Sequence, residues 1–279
     1  MSLKLLRSTS FFLVFVLVFT TCSKNDPSIN ATRLRISLTD APTLLIRELN
    51  VDIQKIEVST VESENDNETW TTLKFNGGVF NILTLSNGKS KQIVDQYFPS
   101  GVLRQIKITF GTKSNIVAVT KDDVIDLILD PSIQDGVVIL DVTANLYANY
   151  ISNIMIDINA AMSVYELNGN YFFRPTIRAF PETFGGTLKG VVSPKEADAA
   201  VLITKVSETE RDTLFTVPES TNGMFMFKGV SEGNWKVHII TMPELGYKDT
   251  VFITDSVYTG KILDLKSITL KKIEDIENE

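Results

Sequence analysis

Residues 223–237, GMFMFKGVSEGNWKV, decide how the second half of this 279-residue chain folds. Phe225 and Phe227 alternate with other residues, and Trp235 and Val237 do the same after a connection that contains two glycines. In a β-strand successive side chains point to opposite faces, so the two phenylalanines share one face, as do Trp235 and Val237. This period of two predicts two consecutive strands that place aromatic side chains in a core.

The same period recurs through the rest of the second half. Between residues 184 and 272 it predicts seven short strands: Thr187–Val192, Ala200–Val206, Thr213–Val217, Met224–Lys228, Asn234–Thr241, Thr250–Asp255 and Lys266–Leu270. Seven strands with turn residues between them in this length are typical of a small antiparallel β-sandwich. Residues 273–279 are charged and are predicted to be a tail.

The first half, residues 32–181, has strand patterns of the same kind. Arg33–Thr39 (RLRISLT) alternates polar and apolar residues. Asn50–Thr60 alternates as well but changes face once, which predicts a bulge near Gln54–Lys55. Helix patterns are few, and Ser90–Tyr97 is predicted to form a helical turn or two. The chain is therefore predicted to be all-β, with two antiparallel β-sandwich domains in tandem.

Two polar segments of the first half are predicted to lie at the surface. Asn87-Gly88 has the chemistry of a tight turn, because asparagine and glycine both tolerate a positive φ. Glu62–Glu68 (ESENDNE) is predicted to be a solvated loop tip rather than a calcium loop, since it lacks the central glycine that an EF-hand requires.

The N-terminus has the three parts of a secretory signal peptide, predicted over residues 1–21. Lys4 and Arg7 supply the positive region, and Phe11–Phe19 (FFLVFVLVF) is an apolar run too short to span a bilayer as an ordinary transmembrane helix. Cys22 closes this run and is the single cysteine of the chain. Residues 22–31 are then polar and are predicted to be a tether.

This arrangement resembles the signal of bacterial lipoproteins, in the relaxed form found in Bacteroidetes. In that pattern the cysteine directly follows the cleavage point and becomes acylated. Phe19 and Thr21 stand here where an aliphatic and a small residue are usual, so cleavage by an ordinary signal peptidase is the alternative. The resemblance implies that Cys22 is lipidated and that the chain is exported to the cell envelope, as an outer-membrane lipoprotein on its periplasmic or outer face.

Composition excludes several classes of function. A single cysteine excludes intrachain disulfides and cysteine-rich zinc modules, and a single histidine excludes HExxH and histidine-cluster metal sites. A net charge of −7 argues against nucleic acid or anionic lipid as the main partner. Cleavage of the leader removes two positive charges, so the mature chain is more acidic still.

Two family resemblances follow from the motifs. The G-x-F-x-F-x-x-V-x-x-G-x-W-x-V pattern from Gly223, together with Gly186–Val192, resembles the carboxypeptidase-regulatory-like, prealbumin-type β-sandwich over residues 184–272. That resemblance implies a structural or binding module without catalysis of its own.

Residues 32–180 resemble the family known as domain of unknown function 4382. The similarity lies in an ordered series of motifs, of which Asp40-Ala41-Pro42 is the most specific; Asn159 departs from the usual pattern. The resemblance implies a β-sandwich of an exported lipoprotein, akin to fimbrial subunits, and implies no reaction.

Asp40 and Asp157 are the candidate polar site. If the two strand ends meet, their carboxylates could bind a hard cation. The alternative is that Asp40 accepts backbone N–H bonds and shapes the turn before Pro42. The sequence leaves both interpretations open and implies no cofactor.

Four aromatic residues, Trp70, Tyr147, Tyr150 and Tyr171, are candidates for a ligand-facing platform such as a glycan site, or are ordinary core and strand-edge aromatics. His238 is expected on the outer face of its strand. It has no nucleophile arranged in the pattern of a triad, and no GxSxG, GxxxxGK or GxGxxG motif occurs.

The sequence thus predicts a lipid-anchored envelope protein that binds, adheres or scaffolds without catalysis. Its partners are the membrane, through the lipid, and a glycan or an envelope protein. The alternatives are a fimbria-like subunit that polymerises by strand exchange, a glycan-capture lipoprotein and, because Asp and Glu are abundant, a carboxylate-dependent hydrolase.

Overall fold

The computed structural model describes residues 28–41, 46–60, 70–118, 123–207 and 212–273. The leader, Cys22, most of the predicted tether, the Glu62–Glu68 loop and all but the first residue of the tail lie outside these ranges. None of the helices within these ranges has the length and apolar character needed to cross a membrane.

The first sandwich contains fourteen of the described strands: β1 (Ala31–Ala41), β2 (Ile46–Ser59), β3 (Thr71–Thr72), β4 (Gly78–Asn81), β5 (Lys91–Pro99), β6 (Gly101–Phe110), β7 (Asn115–Ala118), β8 (Val124–Asp126), β9 (Ile128–Leu129), β10 (Val137–Leu146), β11 (Ile151–Asn159), β12 (Val164–Leu167), β13 (Asn170–Phe173) and β14 (Ile177–Pro181). Short helical segments lie at Ile82–Leu85, Gln134–Gly136 and Ala160–Ser163.

These strands form two main layers around one core. Sheet A has the order β14-β11-β1-β5, and sheet B has the order β10-β6-β2-β7-β8, with β3 and β4 also paired to β2. A small third sheet has the order β12-β13-β9. Alternate residues of β1, namely Leu34, Ile36 and Leu38, are fully buried in the core, as the period of two predicts.

Strand β1 lies inside sheet A, antiparallel to β5 and parallel to β11. The parallel pair departs from a purely antiparallel sandwich. It is possible because strands β2 to β10 intervene between β1 and β11, and a parallel pair needs a long crossover rather than a hairpin.

The second sandwich contains the seven predicted strands: β15 (Gly186–Ser193), β16 (Ala200–Lys205), β17 (Thr213–Thr216), β18 (Met224–Val230), β19 (Trp235–Ile240), β20 (Thr250–Ile253) and β21 (Ile262–Thr269). Two 3-10 turns lie at Lys195–Ala197 and Pro243–Leu245. One sheet has the order β18-β15-β21, in which β15 and β21 are parallel, and the other has the order β17-β16-β19-β20.

The aromatic residues of the opening stretch fill the second core. Trp235 and Phe225 are fully buried, Phe227 is nearly so, and the rings of the two phenylalanines meet edge to face with centroids 6.1 Å apart. The Trp235 indole N–H donates to the Ser231 carbonyl at 3.0 Å, so its one polar atom is satisfied. The all-β, two-sandwich prediction is confirmed.

Two local predictions have opposite outcomes. The predicted bulge is present, because the β2–β6 register shifts between Ile53 and Lys55. The predicted helical turns at Ser90–Tyr97 are wrong, since this segment belongs to strand β5. A register shift against β1 puts an extra residue next to buried Val94, which hides the period of two and makes the apolar spacing look helical.

Two further differences from the predicted strands have simple causes. The sequence pattern of Tyr171–Phe180 predicts a single strand, but the segment is divided into β13 and β14 at Pro175, whose missing N–H cannot donate to a ladder. Strand β1 begins at Ala31, two residues before the predicted Arg33–Thr39, and Ala31 is buried.

Because the buried residues form two separate clusters, a defect in one core should spare the other. We expect Trp235→Ala to destabilise the second sandwich by about 3–5 kcal/mol through lost burial and a cavity. Differential scanning calorimetry of this variant should show one displaced transition and one unchanged. The matched variant Leu103→Ala should displace the other transition, by about 2–5 kcal/mol. Equal loss in both transitions for either variant would contradict two independent cores.

Candidate functional site

The two sandwiches meet across a junction that the chain itself keeps close. Only residues 182–185 connect β14 to β15, which limits how far the second sandwich can lie from sheet A. It packs with β17 and β18, each at the edge of its own sheet, towards the outer face of sheet A and the loop 85–89. An open strand edge exposes unpaired N–H and C=O groups, so this contact has backbone groups to satisfy.

Arg178 on β14 joins the two sandwiches through its guanidinium. Its Nε donates to Asp157 Oδ2 at 2.8 Å, and its Nη2 lies 2.7 Å from the same oxygen. Nη1 donates to the Gly229 carbonyl and Nη2 to the Lys228 carbonyl, both at 2.9 Å. Only a planar fork of donors can reach a carboxylate in one sandwich and two adjacent carbonyls in the other.

Asn87 makes the second set of bonds between the sandwiches. Its Nδ2 donates to the Val217 carbonyl just after β17 at 3.0 Å, and its Oδ1 accepts from the backbone N–H of Met226 on β18 at 3.3 Å. The side-chain amide has the donor and acceptor of a peptide group, so Asn87 stands in for a neighbouring strand at both open edges. It is 8% exposed, and its φ of +53° belongs to the predicted Asn87-Gly88 turn.

This turn is held in place by β1. The Thr39 hydroxyl lies 3.1 Å from the Leu85 carbonyl and 3.0 Å from the Lys89 carbonyl, on either side of the turn. Strand β1 therefore positions the asparagine that bonds to the second sandwich.

Phe180 on β14 packs flat against the backbone at Gly229. An added Cβ at Gly229 would lie 2.4 Å from Phe180 Cε2, and the φ of Gly229 is +60°. Both the close approach and the left-handed backbone require glycine. The Arg178 guanidinium carbon lies 4.7 Å from the centroid of the Phe180 ring, which adds a cation–π contact to the same junction.

One exposed ion pair also joins the sandwiches. Lys89 Nζ lies 3.0 Å from Glu219 Oε1. The hydrogen bond from Lys89 holds the pKa of the Glu219 carboxyl below its usual range.

Between these contacts lies a cleft with an empty volume of about 780 Å³, its open mouth included. It is lined by Thr39, Asp157 and Arg178 of the first sandwich and by Asp212, Phe215 and Lys228 of the second, among others. Asp157 and Arg178 at the wall of the cleft already neutralise each other, so these two charges stabilise the junction.

The two candidate carboxylates are placed on neighbouring strands but on opposite faces. Thr39 pairs with Asp157 and Asp40 pairs with Ile158, so Asp40 points to the core side of sheet A and Asp157 to the junction. Asp40 Oδ1 accepts the backbone N–H of Ala160 at 3.3 Å. Both residues are among those that line the cleft, but Asp157 is paired with Arg178 and the register places the two side chains on opposite faces of sheet A. Within the described ranges no group of three or more His, Cys, Asp or Glu side chains is arranged to hold a metal ion.

The four aromatic candidates do not form one platform. Tyr147 and Tyr150 lie together at one end of the first sandwich, 62% and 70% exposed, with ring centroids 6.4 Å apart. Trp70 lies under Lys107 Nζ, 4.1 Å from its ring centroid. Tyr171 is half-buried against the first core. His238 is on the outer face as expected, 3.1 Å from Asp249.

Apart from Asp157, the residues of the junction were not among the candidates from the sequence. Arg178 and Phe180 belong to a strand whose pattern was visible, and Gly229 belongs to the opening stretch, but no local signal tells which strand faces another sandwich. The Asn87-Gly88 turn was predicted correctly, whereas its role in capping two distant edges depends on tertiary packing.

These observations define a tandem β-sandwich protein with a bonded junction. Residues 31–175, about half of the chain, match the family described as Domain of unknown function (DUF4382). The chain belongs to this family, as its motifs predict. The prealbumin-type resemblance of the second sandwich stays a prediction. A comparison with curated proteins gives no match.

Several solved structures share the β-rich architecture at low similarity. They include the TIE protein of Bacillus anthracis (12% identity, TM-score 0.24, 94% of this chain and 43% of that chain). The shaft pilin SpaA of Lactobacillus rhamnosus GG gives 12% identity and a TM-score of 0.23, with 87% of this chain and 98% of that chain covered. BcpA, the major pilin subunit of Bacillus cereus, gives 13% identity and a TM-score of 0.25, with 87% of this chain and 70% of that chain covered. This chain spans less than half of the TIE protein, and similarity at these scores carries no functional argument.

Gly229→Ala tests the packing of the junction. The added methyl would meet Phe180, so we expect the sandwiches to separate and the maximum dimension in small-angle X-ray scattering to increase. The matched control is Gly246→Ala, where φ is +69° but the added Cβ would have no heavy atom of a non-neighbouring residue within 4 Å. Both variants should lose about 1–2 kcal/mol from backbone strain, and only Gly229→Ala should change the scattering. Identical scattering from both variants would contradict the packing described here.

Acid should weaken the Lys89–Glu219 contact. Because the folded-state pKa of Glu219 is lowered, its contribution is present above the ordinary pKa of glutamate and is lost as the pH falls through the folded value. The pair is exposed, so we expect about 0–1 kcal/mol. Urea unfolding at pH 7 should separate the wild type from Glu219→Gln, and the difference should shrink and vanish as the pH falls through the folded-state pKa of Glu219. A difference that is the same at both pH values would show that the charge of Glu219 is not responsible.

Proposed function

We propose that this chain is a lipid-anchored protein of the bacterial cell envelope that displays its second sandwich for binding or adhesion and catalyses no reaction. Cys22 supplies the anchor at the outer membrane, the DUF4382 sandwich acts as a spacer, and the prealbumin-type sandwich contacts a glycan or an envelope protein.

The observation that carries this proposal is the bonding of the junction. Domains joined by a short linker move relative to each other by default unless their interface is extensive. Here Arg178 and Asn87 make directional bonds to backbone groups of the second sandwich, and a hinge motion would leave those partly buried groups unsatisfied. A fixed relative orientation favours display and scaffolding over opening and closing around a substrate.

Strand exchange is less well supported than a self-contained monomer. A subunit that polymerises by donating a terminal strand needs that strand to lie in another copy. In the described part of the chain, β1 lies between β11 and β5, and β21 pairs with β15 of its own sandwich. Both terminal strands therefore already have partners within the chain.

A carboxylate-dependent hydrolase would need two acids that face one cleft. Asp40, Asp157 and Asp212 are among the residues that line the cleft. Asp157 is paired with Arg178, and Asp40 accepts the backbone N–H of Ala160, so two of these three carboxylates already hold the fold together. This use of the carboxylates favours the non-catalytic proposal. Incubation with glycan and peptide panels should give retention without turnover, and release of product would overturn it.

The anchor is tested in a bacterium that processes lipoproteins. The wild type should label with palmitate and fractionate with the outer membrane, whereas Cys22→Ser should do neither. The matched control is the double variant Cys22→Ser with Ser23→Cys, which moves the thiol by one residue and should also fail to label. Equal membrane association of all three chains would contradict lipidation at Cys22.

The fixed orientation is tested by Arg178→Lys. Lysine keeps the positive charge, but its three N–H donors share one nitrogen and cannot span the carboxylate and both carbonyls as the three guanidinium nitrogens do, so we expect the junction to lose about 1–3 kcal/mol. Limited proteolysis within residues 182–185 should then become faster. Arg174→Lys is the matched control, because Arg174 stacks on Tyr165 of the same sandwich at 5.3 Å. Equal proteolysis of the two variants would contradict a rigid junction held by Arg178.

A further inference from the structure

The described part of the chain begins at one end of the first sandwich. The start of β1, the β5–β6 turn at residues 99–101 and the β10–β11 turn at residues 147–150 meet there. The backbone N–H of Asn149 donates to the Ala31 carbonyl, and that of Arg33 donates to the Tyr150 carbonyl, both at 2.8 Å. These bonds hold the turn between β10 and β11 against the entry of the chain.

This end exposes large apolar and amphipathic side chains. Five of them form what we call the tyrosine end: Ile29 (69% exposed), Tyr97 (46%), Tyr147 (62%), Tyr150 (70%) and Ile151 (54%). Single exposed apolar residues are common on proteins, whereas a cluster of this kind at one end marks a contact surface.

The charge at the tyrosine end is unlike that of the whole chain. The net charge is −7, yet residues 28–31, 99–101 and 146–151 contain no Asp or Glu. The nearest acid on β5, Asp95, is paired with Arg33, whose Nε lies 2.5 Å from it. Arg33 also lies 5.6 Å from the centroid of the Tyr97 ring. A surface free of unpaired acids can approach anionic headgroups without repulsion.

The position of Cys22 limits where this end can be. Six steps separate Cys22 from Ser28, and an extended chain spans at most ~3.6 Å per residue, so an acylated Cys22 keeps Ser28 within about 20 Å of the bilayer. Thr39, at the other end of β1, lies about 25 Å further along the strand. An acylated Cys22 would therefore keep the tyrosine end within reach of the bilayer.

We propose that the tyrosine end is seated in the headgroup layer of the bilayer that carries the lipid anchor. This inference rests on the proposed acylation of Cys22. Tyrosine is favoured at membrane interfaces because its ring is apolar and its hydroxyl remains hydrated. The short tether makes this contact intramolecular, with an effective concentration in the millimolar range, so a weak affinity for lipid is sufficient.

A glycan fits this surface less well. The Tyr147 and Tyr150 rings are inclined at 69° to each other and so do not offer one flat face for a sugar ring. The neighbouring apolar side chains of Ile29 and Ile151 suit acyl chains and the headgroup boundary better than they suit a hydroxyl-rich ligand.

The test uses the mature chain, Cys22–Glu279, coupled through its single thiol to a maleimide lipid in vesicles of phosphatidylethanolamine and phosphatidylglycerol with brominated acyl chains. Tyr150→Trp provides the reporter. The matched control is Val251→Trp, which is 50% exposed on β20, the strand farthest from β17 in its sheet. Subtraction of the wild-type signal removes the emission of Trp70 and Trp235.

We expect several-fold stronger quenching of the reporter in Tyr150→Trp than in Val251→Trp. Adding Ile29→Ser and Tyr147→Ser to Tyr150→Trp should reduce its quenching to that of the control. Equal quenching of the two reporters would overturn the proposal, as would glycan binding by the tyrosine end without quenching. Chemical coupling makes this result independent of acylation in the cell. A failure of palmitate labelling would therefore contradict the anchor, whereas equal quenching here would contradict the membrane contact of the tyrosine end.

Discussion

The arrangement of the whole molecule depends on the Arg178 guanidinium, which bonds to one sandwich's carboxylate and to the other's backbone. Asp157 compensates the charge of Arg178, so its partial burial does not leave an unpaired ion. The remaining donors satisfy carbonyls at the outer edge of β18. Without this group the two sandwiches would still be joined by a four-residue connection, the Asn87 hydrogen bonds, the Lys89–Glu219 pair and the Phe180–Gly229 contact, but Asp157 would lose its partner.

The junction also covers exposed strand edges of the two sheets in the second sandwich. Strands β17 and β18 are edges, and exposed edges invite pairing with other chains. Asn87 and Arg178 cover part of both edges with side-chain donors and acceptors from the first sandwich. Gly229 allows Phe180 to close the remaining space, because a side chain there would collide with the ring. Stability and protection from aggregation thus come from the same few residues.

Strand β1 connects this junction to the tyrosine end. Its last part positions the Asn87 turn through Thr39, and its first residues meet the exposed tyrosines. Because β1 is interior to sheet A, paired on both sides, these two regions are connected by a rigid element rather than by a loop. An anchored chain would hold the second sandwich at a defined orientation to the bilayer.

Much of the strand content was readable from the sequence, and the exceptions have physical causes. All seven strands of the second sandwich and the bulge in β2 follow from a period of two, since one face of each strand is buried. Strand β5 was missed because its bulge breaks that period at Ile93–Val94. The β1–β11 register puts Asp40 and Asp157 on opposite faces of sheet A, and register between strands more than a hundred residues apart is not a local property.

The sequence by itself determined the fold class, the division into two cores, the Asn87-Gly88 turn and the DUF4382 membership. These depend on alternation, turn chemistry and ordered motifs, all of which are local. Only the tertiary structure decided which strand edges face each other, that Arg178 and Asn87 satisfy them, and that Tyr147 and Tyr150 meet the entry of the chain at one end. Contacts of this kind join residues far apart in sequence, and their free energy comes from groups that local patterns do not bring together.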